Sequence, residues 1–240
     1  MIKIIKWSAI GIFGLAIFFL TFWPTILSTY AWYSAYFFTE KTNPNVHITL
    51  DQNMTVVAVD GLESFTLGNI KIPILFENYS IEEQEASVII SDQDSDAVYI
   101  FYVGTPLLKN FLLHQQFADH DQTEVCHKLS KINGANPCDS DKAFLQVQAD
   151  VSKHNIGLFS GNTIKLFGSI MLVLKSAYIA PDTLRIIPYD NEASSGFIYE
   201  TQNGVSVNVF EDENTYYDIA AYRMDREQIE TVIGAVEFVE

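Results

Sequence analysis

Positive charge is the first thing this chain is short of. Its 240 residues carry 14 Lys and Arg against 30 Asp and Glu, a formal net charge of -16. A surface so negative repels phosphate backbones, which excludes non-specific nucleic-acid binding. It repels anionic lipid headgroups too, so a charged partner must be basic or arrive with divalent cations. Cysteine is almost absent. Cys126 and Cys138 are the only two, and without C-x2-C spacing they offer neither a zinc pair nor a redox dithiol. Glycine-rich phosphate cradles, internal repeats and low-complexity tracts are missing as well, and no cofactor motif is present.

What is there begins with a long apolar run. Lys3 and Lys6 precede Trp7 to Thr39, a stretch without a single Asp, Glu, Lys or Arg. A helix needs about 20 apolar residues to cross a bilayer. The expectation is therefore a cytoplasmic tail over 1-6, a transmembrane signal-anchor helix over 7-29 and an aromatic juxtamembrane linker over 30-45. An exported domain follows over 46-240. The basic flank keeps the N-terminus cytoplasmic and places the domain outside, in the periplasm of a cell with an inner membrane. A cleaved signal peptide is the rival, with small residues flanking Tyr30 at Thr29 and Ala31, but its apolar region would span only about 7–15 residues. Export suits the cysteines. At twelve positions apart they are easily bridged, and the loop would contribute about 3 kcal/mol in the chain-entropy account; two unrelated buried thiols are the alternative.

The exported part reads as an α+β domain, a mainly antiparallel sheet packed against helices, with an α/β sandwich as the sharper form. Strands are expected at Val46–Leu50, Thr55–Val59, Ile70–Phe76, Ala86–Ile90 and Ala97–Val103, with Pro73 making the third an edge strand. Helices are expected from Pro106 (Leu107, Leu108, Phe111, Leu112 and Gln115 on one face), over Thr123 to Ile132, and over Lys142 to Lys153 with Asp139 to Asp141 as cap, where the alternation of Leu145, Val147 and Ala149 with polar residues also fits a strand. Another helix runs from Thr163 to Ile179, capped by Asn162. Lys165 and Lys175 break the last into spans too short for a bilayer, so it reads as a core helix.

The end of the chain is the most explicit. Gly196–Gln202 and Val205–Phe210 flank Asn203-Gly204, the signal of a type I′ hairpin. A strand over Thr215–Tyr222 follows, then a capping box at Asp225-Arg-Glu-Gln228 before Ile229, Val232 and Ile233, a stop at Gly234, and a closing strand at Val236–Val239. This meander, helix and closing strand is similar to the ending of PsbP-type α/β sandwich domains. The resemblance implies that layered fold for the end of the chain and carries no activity.

Three clusters invite chemistry. Asp92, Asp94 and Asp96 follow an apolar strand, as calcium loops and aspartyl-nucleophile phosphatases require. Ala97 and Val103 stand where the calcium loop wants Gly and Glu, and neither the Thr or Val expected at Ser95 nor a later magnesium pair is in place. A solvated turn accounts for the same residues. His114, His120 and His127 lie among acids, but their spacings of six and seven miss the i, i+4 arrangement that brings two imidazoles to one zinc. Ser160 in Gly157-Leu-Phe-Ser-Gly161 lacks the first glycine of a nucleophile elbow. Alternation along Tyr216, Tyr217 and Tyr222 puts the first and last on one face, which can serve as a protein-binding surface or as core packing.

The reading that fits is a single-pass membrane-anchored, acidic, non-catalytic interaction or accessory module. It would hold the bilayer through 7-29 and a protein partner through its domain. An exported, metal-assisted hydrolase and a divalent-cation-binding domain are the alternatives.

Overall fold

A computed structural model describes residues 2–106 and 122–239, except for the side chains of 2–21 and 122. The chain is α+β. Its main sheet has eight strands in the order β1-β7-β8-β9-β10-β6-β5-β4. These are β1 Met54–Thr55, β4 Tyr79–Gln84, β5 Ser87–Asp92, β6 Val98–Val103, β7 Thr183–Asp190, β8 Ser195–Thr201, β9 Gly204–Phe210 and β10 Tyr216–Tyr222. Every pairing in it is antiparallel except β1 with β7. A second sheet orders β11 (Glu237–Phe238), β3 (Ile70–Ile74) and β2 (Glu63–Leu67).

The helices are α1 Ile2–Thr42, α2 Gln122–Leu129, α3 Asp141–Asp150, α4 Asn162–Tyr178 and α5 Arg226–Gly234. Period-two alternation sorts each strand of the main sheet between two cores. Val88, Ile90, Tyr99, Phe101, Val207 and Ile219 face the small sheet and α5. Ile186, Phe197, Tyr199, Phe210 and Tyr216 face the opposite way, towards Leu145 and Ala149 of α3. Beyond them a mainly helical core joins Trp32 of α1 to Leu129, Phe144, Phe167 and Met171.

Helix α1 settles how the first forty residues meet the rest. The aromatic stretch expected as a linker over 30-45 is helical to Thr42, as the continuation of α1, and turns from Pro44. It lies along α4 in parallel register: Thr25 and Ser28 meet Asn162, Thr29 meets Lys165, and Asn43 meets Ile179. Trp32 is 3 % exposed and sits 3.7 Å from where a side chain on Gly168 would begin. Among the described residues no helix is long and apolar enough to cross a membrane.

Several local expectations are corrected. Val46–Leu50 forms turns, and only Leu50 makes a bridge, to Ile186. β3 is the central strand of its sheet, not an edge. Pro73 is tolerated because β11 pairs only with Ile70 and Lys71, so its missing N–H faces no partner strand. Strands β2, β4 and β7 carried no clear sequence signal. α3 is capped by Ser140, which accepts from the Ala143 N–H at 3.0 Å, and not by the acids around it. Asn162 opens α4 without capping it, because its side chain is bonded to α1. The helix expected from Pro106 falls mostly on 107–121, outside the described residues. The β8–β9 hairpin turns on Gln202-Asn203, and neither Asn203 nor Gly204 has positive φ, so it is not type I′. Thr201 Oγ1 satisfies the N–H groups of Asn203 and Gly204 instead. Glycine is required at 204 for proximity: a Cβ there would lie 2.3 Å from the Ala221 carbonyl oxygen.

Candidate functional site

The sharpest chemistry sits where α4 ends over the helix-facing side of β9 and β10. Asn208 and Asp218 are paired in register across these strands, so their side chains emerge together on one face. Asn208 Nδ2 donates to Asp218 Oδ1 and, at 2.6 Å, to the Tyr178 hydroxyl. Tyr178 is the last residue of α4, and its hydroxyl in turn lies 3.4 Å from Asp218 Oδ1. Tyr199 on β8 meets Tyr178 edge to face, ring centroids 6.0 Å apart. On the other side, β6 places Tyr102 opposite Asp218. Tyr178, Tyr199, Asn208 and Asp218, with Ile179, Ser206 and Ala220, line a cavity of about 180 Å³.

Two features give this cavity a chemical bias. Asn208 is 2 % exposed, and with its nitrogen committed to Asp218 its Oδ1 has no hydrogen-bond partner. A buried acceptor left unsatisfied is costly, so it stands as an offer to a donor. The second feature is the carboxylate. Burial pushes Asp218 up to about 6, against the hydrogen bonds from Asn208 and Tyr178 that favour its charged form. Its charge reaches outward: burial first, then the Asp218 field, raises the pKa of Tyr199 and Tyr216, Tyr178 responds to burial, Tyr199 and Asp218 in that order, and Tyr102 to burial, Tyr222 and Asp218. The cavity therefore presents acceptors and aromatic rings, the surroundings a cationic donor prefers.

A second polar feature is a buried ammonium. Lys175 of α4 is wholly buried, and its Nζ donates to the carbonyl oxygens of Ile48 at 2.5 Å, Ala149 at 2.6 Å and Val151 at 3.0 Å. Three acceptors for three N–H groups match a charged ammonium. Burial pulls its pKa down to about 7 while Asp150 pulls upward. Every donor is satisfied, so Lys175 acts as a strut between the turn after α1, the end of α3 and α4. Nearby, His47 stacks on Tyr36 with centroids 4.8 Å apart, and its Nε2 is buried without a partner.

The residues singled out from sequence scatter. Asp92 is consumed by its own turn: its oxygens accept from Asp94 N at 3.0 Å and Ser95 Oγ at 2.6 Å. Asp94 accepts from Asn78 at 3.3 Å, and Asp96 pairs with Arg223. His127 is exposed on α2, and His114 and His120 lie outside the described residues. Among the described residues no group of three or more His, Cys, Asp or Glu could hold a metal ion. Ser160 sits in a loop, donor to no catalytic partner; its Oγ accepts from Gly157 N at 3.0 Å. Cys126 and Cys138 form a disulfide with Cα atoms 5.8 Å apart, joining α2 to the turn before α3. The alternation read on β10 holds: Tyr216 stacks on Phe210 at 5.0 Å, Tyr217 packs against Phe238 on the other face, and Tyr222 is half exposed.

Sequence reasoning passed over Asn208 and Asp218. Their signal was present: each is a polar residue inside an apolar run, and the register of the hairpin and the next strand places them side by side. No family model matches this chain, and no curated protein or solved structure matches it either. The closing strand likeness to PsbP-type domains is one of element order. Here β11 joins the small sheet and not the meander.

Proposed function

We propose that this chain is a single-pass membrane-anchored, non-catalytic interaction module. Its domain lies on the non-cytoplasmic side, periplasmic in a cell with an inner membrane, and its Asp218 cavity receives a cationic side chain from a partner protein. The observation that carries the proposal is the pairing of Asp218 with an unsatisfied, buried Asn208 Oδ1 among tyrosine rings. A lysine or arginine end supplies the missing donor, and the net charge of -16 favours approach by a basic partner.

The anchor rests on the uncharged run from Trp7 to Thr39, helical throughout within α1, and on Lys3 and Lys6 before it. Export is supported by the Cys126–Cys138 bridge, a bond that persists in oxidising compartments. The layering of helices, eight-stranded sheet and small sheet supports an α/β sandwich description of the domain. The hydrolase and cation-binding alternatives draw nothing from His127 or from the self-satisfied Asp92 turn.

The test is a photo-crosslinking residue in place of Ser206, at the cavity wall, in the full-length protein in native membranes. A discrete adduct that disappears with Asp218→Asn is expected. In parallel, n-butylammonium titrated against the purified protein should perturb the NMR signals of Asn208 and Tyr178 in the native chain and not in the variant. Absence of any perturbation in the native chain would overturn the cavity's assignment, and a chain that leaves the membrane at alkaline pH would overturn the anchor.

A further inference from the structure

We propose that the loop Gly157–Gly161 is a second lipid contact, with Leu158 and Phe159 entering the bilayer interface beside the point where α1 leaves it. The inference rests on α1 being a membrane anchor and adds the surface that meets the lipid.

Phe159 is 100 % exposed and Leu158 is 55 % exposed, at the tip of one loop. A phenylalanine held wholly in water forgoes roughly 2 kcal/mol of burial, which a domain with a packed core has no structural reason to leave. The loop is built to hold that tip outward. Gly157 N donates to Ser160 Oγ at 3.0 Å, and Ser160 N donates to the Gly157 carbonyl at 3.1 Å, so the polar atoms of the turn close on each other. Only the two apolar side chains are left to project.

Its location is fixed by α4. Gly161 is the N-cap of that helix, and the next residue, Asn162, donates to Thr25 Oγ1 at 3.2 Å and accepts from Ser28 Oγ at 3.0 Å. The tip is thus tied to α1 immediately after Pro24. Just there α1 carries its own exposed apolar girdle of Phe22, Trp23, Ile26 and Leu27, each about half exposed. Six apolar side chains on two separate elements form one collar around the exit of the run expected to lie in lipid. Aromatic rings of this kind gather at the headgroup level.

Charge narrows the partner. In a chain of net charge -16, no Asp, Glu, Lys or Arg occurs between His154 and Lys165, and none between Trp7 and Thr39. The two segments that carry the collar therefore hold no acid or base of their own, and the Lys128–Glu124 pair that reaches Thr163 beside them is neutral as a pair. The collar suits a neutral or zwitterionic lipid surface.

The experiment uses the full-length protein, with its disulfide intact, reconstituted in phosphatidylcholine nanodiscs. Phe159→Cys is labelled with an environment-sensitive fluorophore, and Val57→Cys, exposed beside α5, is the control. Emission at position 159 should be blue-shifted and fall roughly twofold when lipids carrying a nitroxide near the headgroup are included, with position 57 unaffected. If the protein co-migrates with the discs yet position 159 behaves like position 57, the lipid contact is wrong and the anchor stands. A blue shift without nitroxide quenching assigns the tip to a protein surface and likewise overturns the proposal. Failure to enter the discs sinks the anchor, and the lipid contact with it.

Discussion

Asn208 gives its amide nitrogen to Asp218, directly across the β9–β10 ladder, and leaves its amide oxygen buried without a donor. The pair sets a buried carboxylate beside an unfilled acceptor. It also makes the carboxylate a liability for folding. The pKa of Asp218 is raised to about 6 in the fold against 3.8 for the free side chain. Its contribution to stability is complete below pH 3.8 and is lost as the pH rises through 6. Asp218→Asn keeps an acceptor for Asn208 and removes the charge. It should raise stability at pH 7.5 by about 2 kcal/mol and change little at pH 3.5, as read by urea unfolding at both values. Equal effects at the two pH values would show that the carboxylate is not held protonated.

His47 behaves with the opposite sign. Burial, reinforced by Lys153, lowers its pKa to about 4 from 6.5, with Glu40 opposing. The neutral ring contributes stability above pH 6.5 that is lost as the pH falls through 4. His47→Phe preserves the stack on Tyr36 and should flatten that loss, by about 2 kcal/mol between pH 6.5 and 4. Thermal melts across that range would show it as a shallower fall in Tm than in the parent chain.

Removing the Lys175 ammonium leaves three buried carbonyl oxygens without donors. Lys175→Met, similar in length and apolar, should destabilise the domain by on the order of 3 kcal/mol. Hydrogen exchange would locate the loss at the end of α3 and in the turn after α1. A variant as stable as the parent would mean that water replaces the ammonium there.

Gly196 lies against the backbone of Asn208. A Cβ at this position would lie 1.8 Å from the Asn208 carbonyl oxygen. Gly196→Ala should therefore force β8 and β9 apart, cost about 2–4 kcal/mol and disturb the Asn208–Asp218 pair. Chemical shifts of Val207, Asn208 and Val209 would report the displacement, and their constancy would rule it out.

How far the sequence reaches can be judged element by element. α5 was explicit, because a capping box and an amphipathic stripe both act within a few residues, and the structure has both bonds of the box. The disulfide followed from two cysteines and a short loop. The type I′ assignment failed because Asn-Gly has two uses: here the glycine admits the Ala221 carbonyl, a contact with a strand still to come in the chain. Pro73 misled for the same reason, since its position depends on where β11 stops, some 160 residues later in the sequence. The Asp92 turn closes on itself through short-range bonds. The Asn208–Asp218 site needs three elements distant in sequence, and no local rule could assemble Tyr178 onto it.

The parallel pairing of α1 with α4 has one more consequence. Under the proposed anchoring, Asn162 stands at the lipid end of α4 and Tyr178 at the cavity, so 17 helical residues at 1.5 Å per residue would hold the cavity about 25 Å above the bilayer. Because α1 runs as one helix through this point, no loop would separate the proposed anchor from the domain. A cationic partner of the kind proposed would have to reach that height from the side, which would select against short membrane neighbours however basic they are.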